Sequence, residues 1–232
     1  MLIKTMKLRL DELALYVTFN LGSFLFGSLL LALMTYLGGH DGDYTVFRFG
    51  TVMAWIVFCF VSVMMGMFGM GNYFDWHVGL GRTRKSFFIC DLITECCFNL
   101  VSLVVIGVLS LVEGGILKAF YASYAEEGKI LWGPWLLWII PVFAVVLAVV
   151  REFTGSILMR FGKKAFWVMW ALWMLICLVP GNKNGVIGEM IRKAMTGIAG
   201  VSVTGWAVMG AVLVILLSAV SWLIIRKQAV RG

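Results

Sequence analysis

Six apolar stretches, each near the length of a membrane-spanning helix, dominate what this chain can fold into. They run approximately over residues 15–37, 49–70, 87–112, 131–150, 165–179 and 201–225. Roughly 20 apolar residues cross about 30 Å of hydrocarbon. Inside lipid the backbone must satisfy its own hydrogen bonds, which long helices do. The composition agrees: 62% of residues are hydrophobic and 13% charged, whereas ordinary soluble domains have about half and a quarter, respectively. The expected fold is all-α, a polytopic membrane protein with six transmembrane helices in one unit spanning 1–232. Within it, 1–14 forms an interfacial helix, 15–225 the membrane domain and 226–232 a cytoplasmic tail. The fifth stretch is the shortest and ends at Pro180-Gly181-Asn182.

An even number of spans puts both termini on one side, and charge selects which. Lys4, Lys7, Arg9, Arg82, Arg84, Lys85, Arg151, Arg160, Lys163, Lys164, Arg226, Lys227 and Arg231 flank the spans on one side; Arg48, Lys118, Lys129, Lys183, Arg192 and Lys193 flank them on the other. Retained cytoplasmic segments accumulate Lys and Arg, so the richer set, with both termini, is expected to be cytoplasmic. The formal net charge of +7 is thereby an orientation signal; basic residues set between apolar runs form no soluble face for nucleic acid. Bacterial plasma membrane is the expected location. The first residues lack the apolar core of a cleavable signal. Ile3, Met6, Leu10, Leu13 and Val17 recur at helical spacing opposite Lys4, Lys7 and Asp11, which predicts an amphipathic helix lying on the inner surface. The five cysteines sit in apolar stretches without zinc-ligand spacing and are expected to be buried and reduced.

The polar stretch from Asn72 to Phe88 invites comparison with a phosphate-binding loop beginning at Gly79. The second glycine of that motif would fall on Arg84, whose side chain blocks the close backbone approach, and no strand precedes it. The nucleotide reading fails. Tyr73, Phe74 and Trp76, alternating with Asp75 and His77, are instead expected to project from a cytoplasmic loop, where a partner protein covers them, or to anchor in the headgroups. Asp91 and Glu95 enter the third span one turn apart on one face. Ionisable groups within a span are costly and carry a functional expectation: a proton relay or cation site, or an ion-pair network with nearby basic side chains or the basic N-terminal region.

Gly81-Arg82-Thr83-Arg84-Lys85-Ser86-Phe87-Phe88, leading into the third span, resembles the Gly-x-Ser/Thr-Arg-Lys-x-Phe-Phe element of small six-span permease subunits of ABC-2-type exporters. Arg82 departs from the apolar residue common there. The resemblance implies that the segment docks on a separate cytoplasmic ATPase, with Tyr73, Phe74, Asp75, Trp76, His77, Gly81, Thr83, Arg84 and Lys85 as the coupling residues. It also implies a second permease copy or relative. Peptides, antimicrobial compounds or other amphipathic molecules are the implied cargo. ATP and magnesium would belong to the ATPase; no cofactor, metal or catalytic residue is expected in this chain.

Two tryptophan series, Trp132-Trp135-Trp138 and Trp167-Trp170-Trp173, suit interfacial belts near the ends of spans; Trp138, Trp170 and Trp173 also offer π surface to an apolar cargo. Residues 181–200 are too polar to cross and too apolar for a plain loop. They fit an outer re-entrant element, which the permease family also has, or a surface helix. His40-Asp41-Gly42-Asp43 lacks the ligands for a calcium or zinc site. Rival functions are an autonomous ion- or proton-coupled transporter using Asp91 and Glu95, and a non-transporting immunity or scaffold protein.

Overall fold

The computed structural model describes residues 5–7, 9–37, 48–120, 136–178 and 203–228. These form helices, with short turns described between α2 and α3 and between α4 and α5, and without a strand among the described residues: α1 (Leu10–Leu37), α2 (Phe49–Gly79), α3 (Arg84–Phe120), α4 (Leu136–Phe161), α5 (Lys163–Leu178) and α6 (Val203–Lys227). The metal-like turn at 40–43 and the 181–200 segment lie outside the described residues.

Among the described residues, five helices are long and apolar enough to cross a membrane: α1, α2, α3, α4 and α6. The described part of α5 has 16 residues, about 24 Å at 1.5 Å per residue, and the chain after Leu178 lies outside the described residues up to Val203. Burial is the reverse of a soluble protein. Asn20, Ser62, Glu95, Asn99, Ser102 and Arg151 are fully enclosed, while Leu25, Phe26, Leu29, Val208, Leu213 and Ile215 face outward. Such a surface is compatible with lipid, where exposed apolar side chains lose nothing.

The helix ends correct several expected boundaries. The loop anticipated at 72–79 is the last two turns of α2, which is 31 residues long. Between the fourth and fifth apolar stretches, the chain is helical to Phe161 and reverses at Gly162, whose φ is +63°. At the N-terminus, α1 begins at Leu10, inside the stretch expected to lie flat. Its inward side carries Arg9, Glu12, Tyr16 and Asn20, whereas Leu10 faces out, so over 9–17 the buried face is polar. Cys59, Cys90, Cys96 and Cys97 are free and only partly buried.

Helix α4 packs against α2, α3, α5 and α6; α1 packs on α2 and α3. Glycine permits the closest crossing. A Cβ on Gly66 would stand 2.8 Å from the Arg151 carbonyl oxygen, and one on Gly155 would stand 2.7 Å from the Gly66 carbonyl oxygen. Small residues facing each other let two backbones meet, as membrane helices commonly require. Above the crossing, Phe24, Ala54, Phe58, Leu103, Ile106 and Leu147 form one apolar core; below it, Met70, Phe74, Phe87, Met159 and Ile225 form another.

Candidate functional site

Between these two cores lies a buried ionic cluster drawn from three helices and the residue preceding the first. Asp91 and Glu95 sit one turn apart on α3 and face inward. Arg9 binds both, and its Nε donates to Glu12 at 2.7 Å. From α4, Arg151 reaches Glu12, Asp91 and Glu95, each at 3.1 Å. The two guanidiniums thus bracket the carboxylates, using the planar fork that suits arginine to paired acids. Tyr16 donates its hydroxyl to Glu95 at 3.3 Å, and the Tyr73 ring lies 4.6 Å from the Arg9 guanidinium carbon, close enough for cation–π attraction. Burial disfavours the charged form of Arg9, yet Asp91 and Glu95 outweigh this and hold it above the ordinary arginine range.

Glu152 completes the cluster. It is 1% exposed, and neither of its carboxylate oxygens has a hydrogen-bond partner among the described residues. The polar face continues along α3. Asn99 accepts from Ser62 and donates to the Ala144 carbonyl, both at 3.3 Å. Five turns beyond Glu95, about 27 Å along the axis, Glu113 accepts the Gly50 and Thr51 backbone N–H groups at 2.8 Å and the Thr51 hydroxyl at 2.6 Å. A carboxylate from α3 therefore caps the N-terminus of α2, satisfying donors that the helix leaves open.

The expected coupling residues fall into separate roles. Phe74 and His77 point inward and pack edge-on against Phe87, each with ring centroids 5.4 Å apart. They are therefore internal joints between α2 and α3, not groups projecting from a loop. His77 Nδ1 lies 3.1 Å from the Tyr73 carbonyl, which only accepts, so that nitrogen carries the proton. Gly81 adopts φ +76°, the left-handed conformation that reverses the chain at least cost when no Cβ is present. Thr83 caps α3, accepting the Ser86 N–H at 3.2 Å. Arg84 donates to the Arg226 carbonyl at 2.6 Å, and Arg82 to the Thr5 hydroxyl at 3.3 Å. Asp75 is partly buried. Trp76, Leu80, Thr83 and Lys85 remain outward around the turn. The basic partners of Asp91 and Glu95 are thus Arg9 and Arg151, while Arg82 and Arg84 hold the turn.

Of the tryptophans offered to cargo, Trp170 faces outward and meets Trp167 edge-on at 5.9 Å; the side chains of Trp138 and Trp173 lie outside the described residues. A groove of about 480 Å³ opens between α2, the end of α4 and α5, lined by Phe68, Asn72, Asp75, Met159, Phe166 and Trp167 among others. No group of acidic, histidine or cysteine side chains among the described residues is arranged to hold a metal.

Arg9 belongs to the basic N-terminal region expected as a partner for Asp91 and Glu95, whereas Glu12, Arg151 and Glu152 escape the sequence reading as site residues. Asp91 and Glu95 advertise themselves by their spacing, but their partners lie far away in sequence. One available signal was the continuation of the Asp91–Glu95 register through Asn99, Ser102, Ser110 and Glu113, a polar stripe on an otherwise apolar helix. Comparison of the chain with protein-family models, curated proteins and solved structures returns no match.

Proposed function

We propose that this chain is the membrane-spanning permease subunit of an ATP-driven ABC exporter, moving a peptide, antimicrobial or other amphipathic molecule while a separate cytoplasmic ATPase hydrolyses ATP with magnesium. The observation that carries the reading is the α2–α3 hairpin. At 1.5 Å per residue α2 is about 46 Å long and α3 about 55 Å, against roughly 30 Å of hydrocarbon. Their joined ends therefore extend beyond the apolar layer. There Trp76 and Leu80, 43% and 59% exposed, stand beside Lys85, a combination suited to a protein groove with an acidic rim.

The ionic cluster gives such docking a mechanical consequence. Arg82 touches Thr5, Tyr73 stacks on Arg9, and Arg9 and Arg151 tie the start of α1 to α3 and α4. A push at the turn is passed to three helices as a unit, the rigid-body kind of coupling. The dense pairing of Asp91 and Glu95 supports a clamp over a proton relay through those two acids. A second permease copy or relative would supply the other wall of the cargo path, with both termini cytoplasmic in the bacterial plasma membrane.

Co-purification with an ABC ATPase subunit, sought in the adjoining reading frame, tests the docking. Trp76→Ala removes an aromatic anchor, for which a loss of about 2 kcal/mol, roughly thirtyfold in affinity, is expected. Equal ATPase recovery with wild type and variant at matched membrane levels would refute the role of Trp76.

A further inference from the structure

The groove between α2, the end of α4 and α5 holds about 480 Å³, within the roughly 300–1,000 Å³ of small-molecule pockets. Its lining changes character along its length. Met67, Phe68 and Phe166 line one end, where the Phe68 and Phe166 ring centroids stand 5.8 Å apart. Asn72, Asp75, Lys163 and Gln228 line the other. On α2 the step from Phe68 to Asp75 is about 10 Å toward the α2–α3 turn. On α5, Phe166 lies one turn beyond Lys163, so both helices place their polar lining at the same end. Gln228, donating to the Met159 carbonyl at 3.3 Å, brings the end of α6 to that place. A groove that is apolar toward the middle of the bundle and polar at its end matches the two parts of a lipid.

Charge selects the headgroup. Lys163 is on the lining, and Arg160 and Lys164 stand exposed beside it where α4 turns into α5. Arg226 and Lys227, just before Gln228, are also exposed. Asp75 is the one acid on the lining among the described residues. The excess is positive, and clustered Lys and Arg at a membrane surface attract anionic headgroups. The Asp75 carboxylate only accepts hydrogen bonds, so beside a phosphate it favours a headgroup that also brings hydroxyl donors.

We propose that this groove binds one anionic phospholipid of the phosphatidylglycerol kind. Its phosphate sits at Lys163, its glycerol hydroxyls face Asp75 and Asn72, and the start of one acyl chain runs along Phe68 and Phe166. The rest of the lipid follows Trp167 and Val168, both outward on α5, into the bilayer. The site needs neither an ATPase nor a cargo. Gly71, also on the lining, keeps the groove open: a Cβ there meets the Met159 Cγ at 3.7 Å, an ordinary contact, and a longer side chain takes up groove space.

Native mass spectrometry of the full chain, released from detergent micelles holding equal amounts of phosphatidylglycerol and phosphatidylcholine, tests the proposal. The wild type is expected to retain one phosphatidylglycerol in preference to phosphatidylcholine, and Gly71→Leu to lose that preference. Lys163→Gln should weaken phosphatidylglycerol retention about fivefold, the effect of one basic residue on an anionic lipid. Lys7→Gln, which removes the same charge from an exposed position off the groove, should leave it unchanged. Equal retention of the two lipids by the wild type, or an undiminished preference in Gly71→Leu, would overturn the proposal. So would equal losses in Lys163→Gln and Lys7→Gln, the mark of diffuse attraction to a basic surface. Should Gly71→Leu fail to reach the membrane, the comparison of Lys163→Gln with Lys7→Gln decides alone.

Discussion

Arg151→Met should cost more stability at pH 7 than at pH 5, and the size of the difference follows from the cluster. The side chain is fully buried and binds Glu12, Asp91 and Glu95 at 3.1 Å each. Methionine keeps much of its bulk without the charge, which leaves Arg9 alone against the acids. Breaking a buried ion pair from one side typically costs about 3–5 kcal/mol. The orphaned carboxylate has an escape, because it can take up a proton. For an acid with an ordinary value of about 4.3, protonation costs about 4 kcal/mol at pH 7 and about 1 kcal/mol at pH 5. The penalty is therefore limited to about 4 kcal/mol in neutral buffer and falls by about 3 kcal/mol on acidification. The sign follows from linkage, since a folded variant that binds an extra proton gains relative stability as pH falls. Reversible unfolding in bicelles, comparing wild type and Arg151→Met at both pH values, measures it. A difference below about 1 kcal/mol at pH 7, or the same difference at both pH values, would refute the view that Arg151 neutralises buried acids.

Other perturbations probe separate parts of the fold. Gly66→Val should cost about 1–3 kcal/mol by forcing α2 away from the Arg151 carbonyl, measured in the same unfolding assay, whereas Gly79→Ala, with open space around its Cβ position, should be neutral or gain up to about 1 kcal/mol. Glu113→Ala should lose about 2 kcal/mol, since two backbone N–H groups and the Thr51 hydroxyl lose their acceptor; hydrogen exchange should quicken first at Gly50 and Thr51. In a background without native cysteines, labels at Asp43 and Lys129 should react with an impermeant reagent from outside, and labels at Leu80 and Lys163 should not. The reverse pattern would invert the orientation and place the α2–α3 turn away from any cytoplasmic ATPase.

The helices were legible because apolar runs long enough to cross lipid leave the backbone one economical conformation. Their ends were not. Asn72–His77 reads as a loop, and the fourth apolar stretch ends before Arg151, because polar residues after an apolar run suggest water, yet α2 and α4 continue and turn Phe74, His77, Arg151 and Glu152 inward. Arg9 and Arg151 count toward the orientation signal in the sequence, yet in the fold they are enclosed counter-ions. Asp91 and Glu95 stood out through four-residue spacing on one helix. The basic N-terminal region, which holds Arg9, is among their expected partners; Arg151 is not, because contacts such as Arg151 to Glu12, 139 residues apart, leave no local pattern. In the Gly-Thr-Arg-Lys segment, Gly81 and Thr83 have sufficient local reason in the turn and the cap, so Trp76, Leu80 and Lys85 carry the partner question.

That question is tested most directly by seeking an ABC ATPase subunit in the adjoining reading frame and measuring its hydrolysis rate alone, with this chain in nanodiscs, and with the Trp76→Ala chain. An ATPase coupled through the α2–α3 turn should hydrolyse ATP at a rate that the wild-type chain changes, with Trp76→Ala, inserted at an equal level, returning it toward the rate of the ATPase alone. A rate that is the same with and without the wild-type chain would contradict the permease reading.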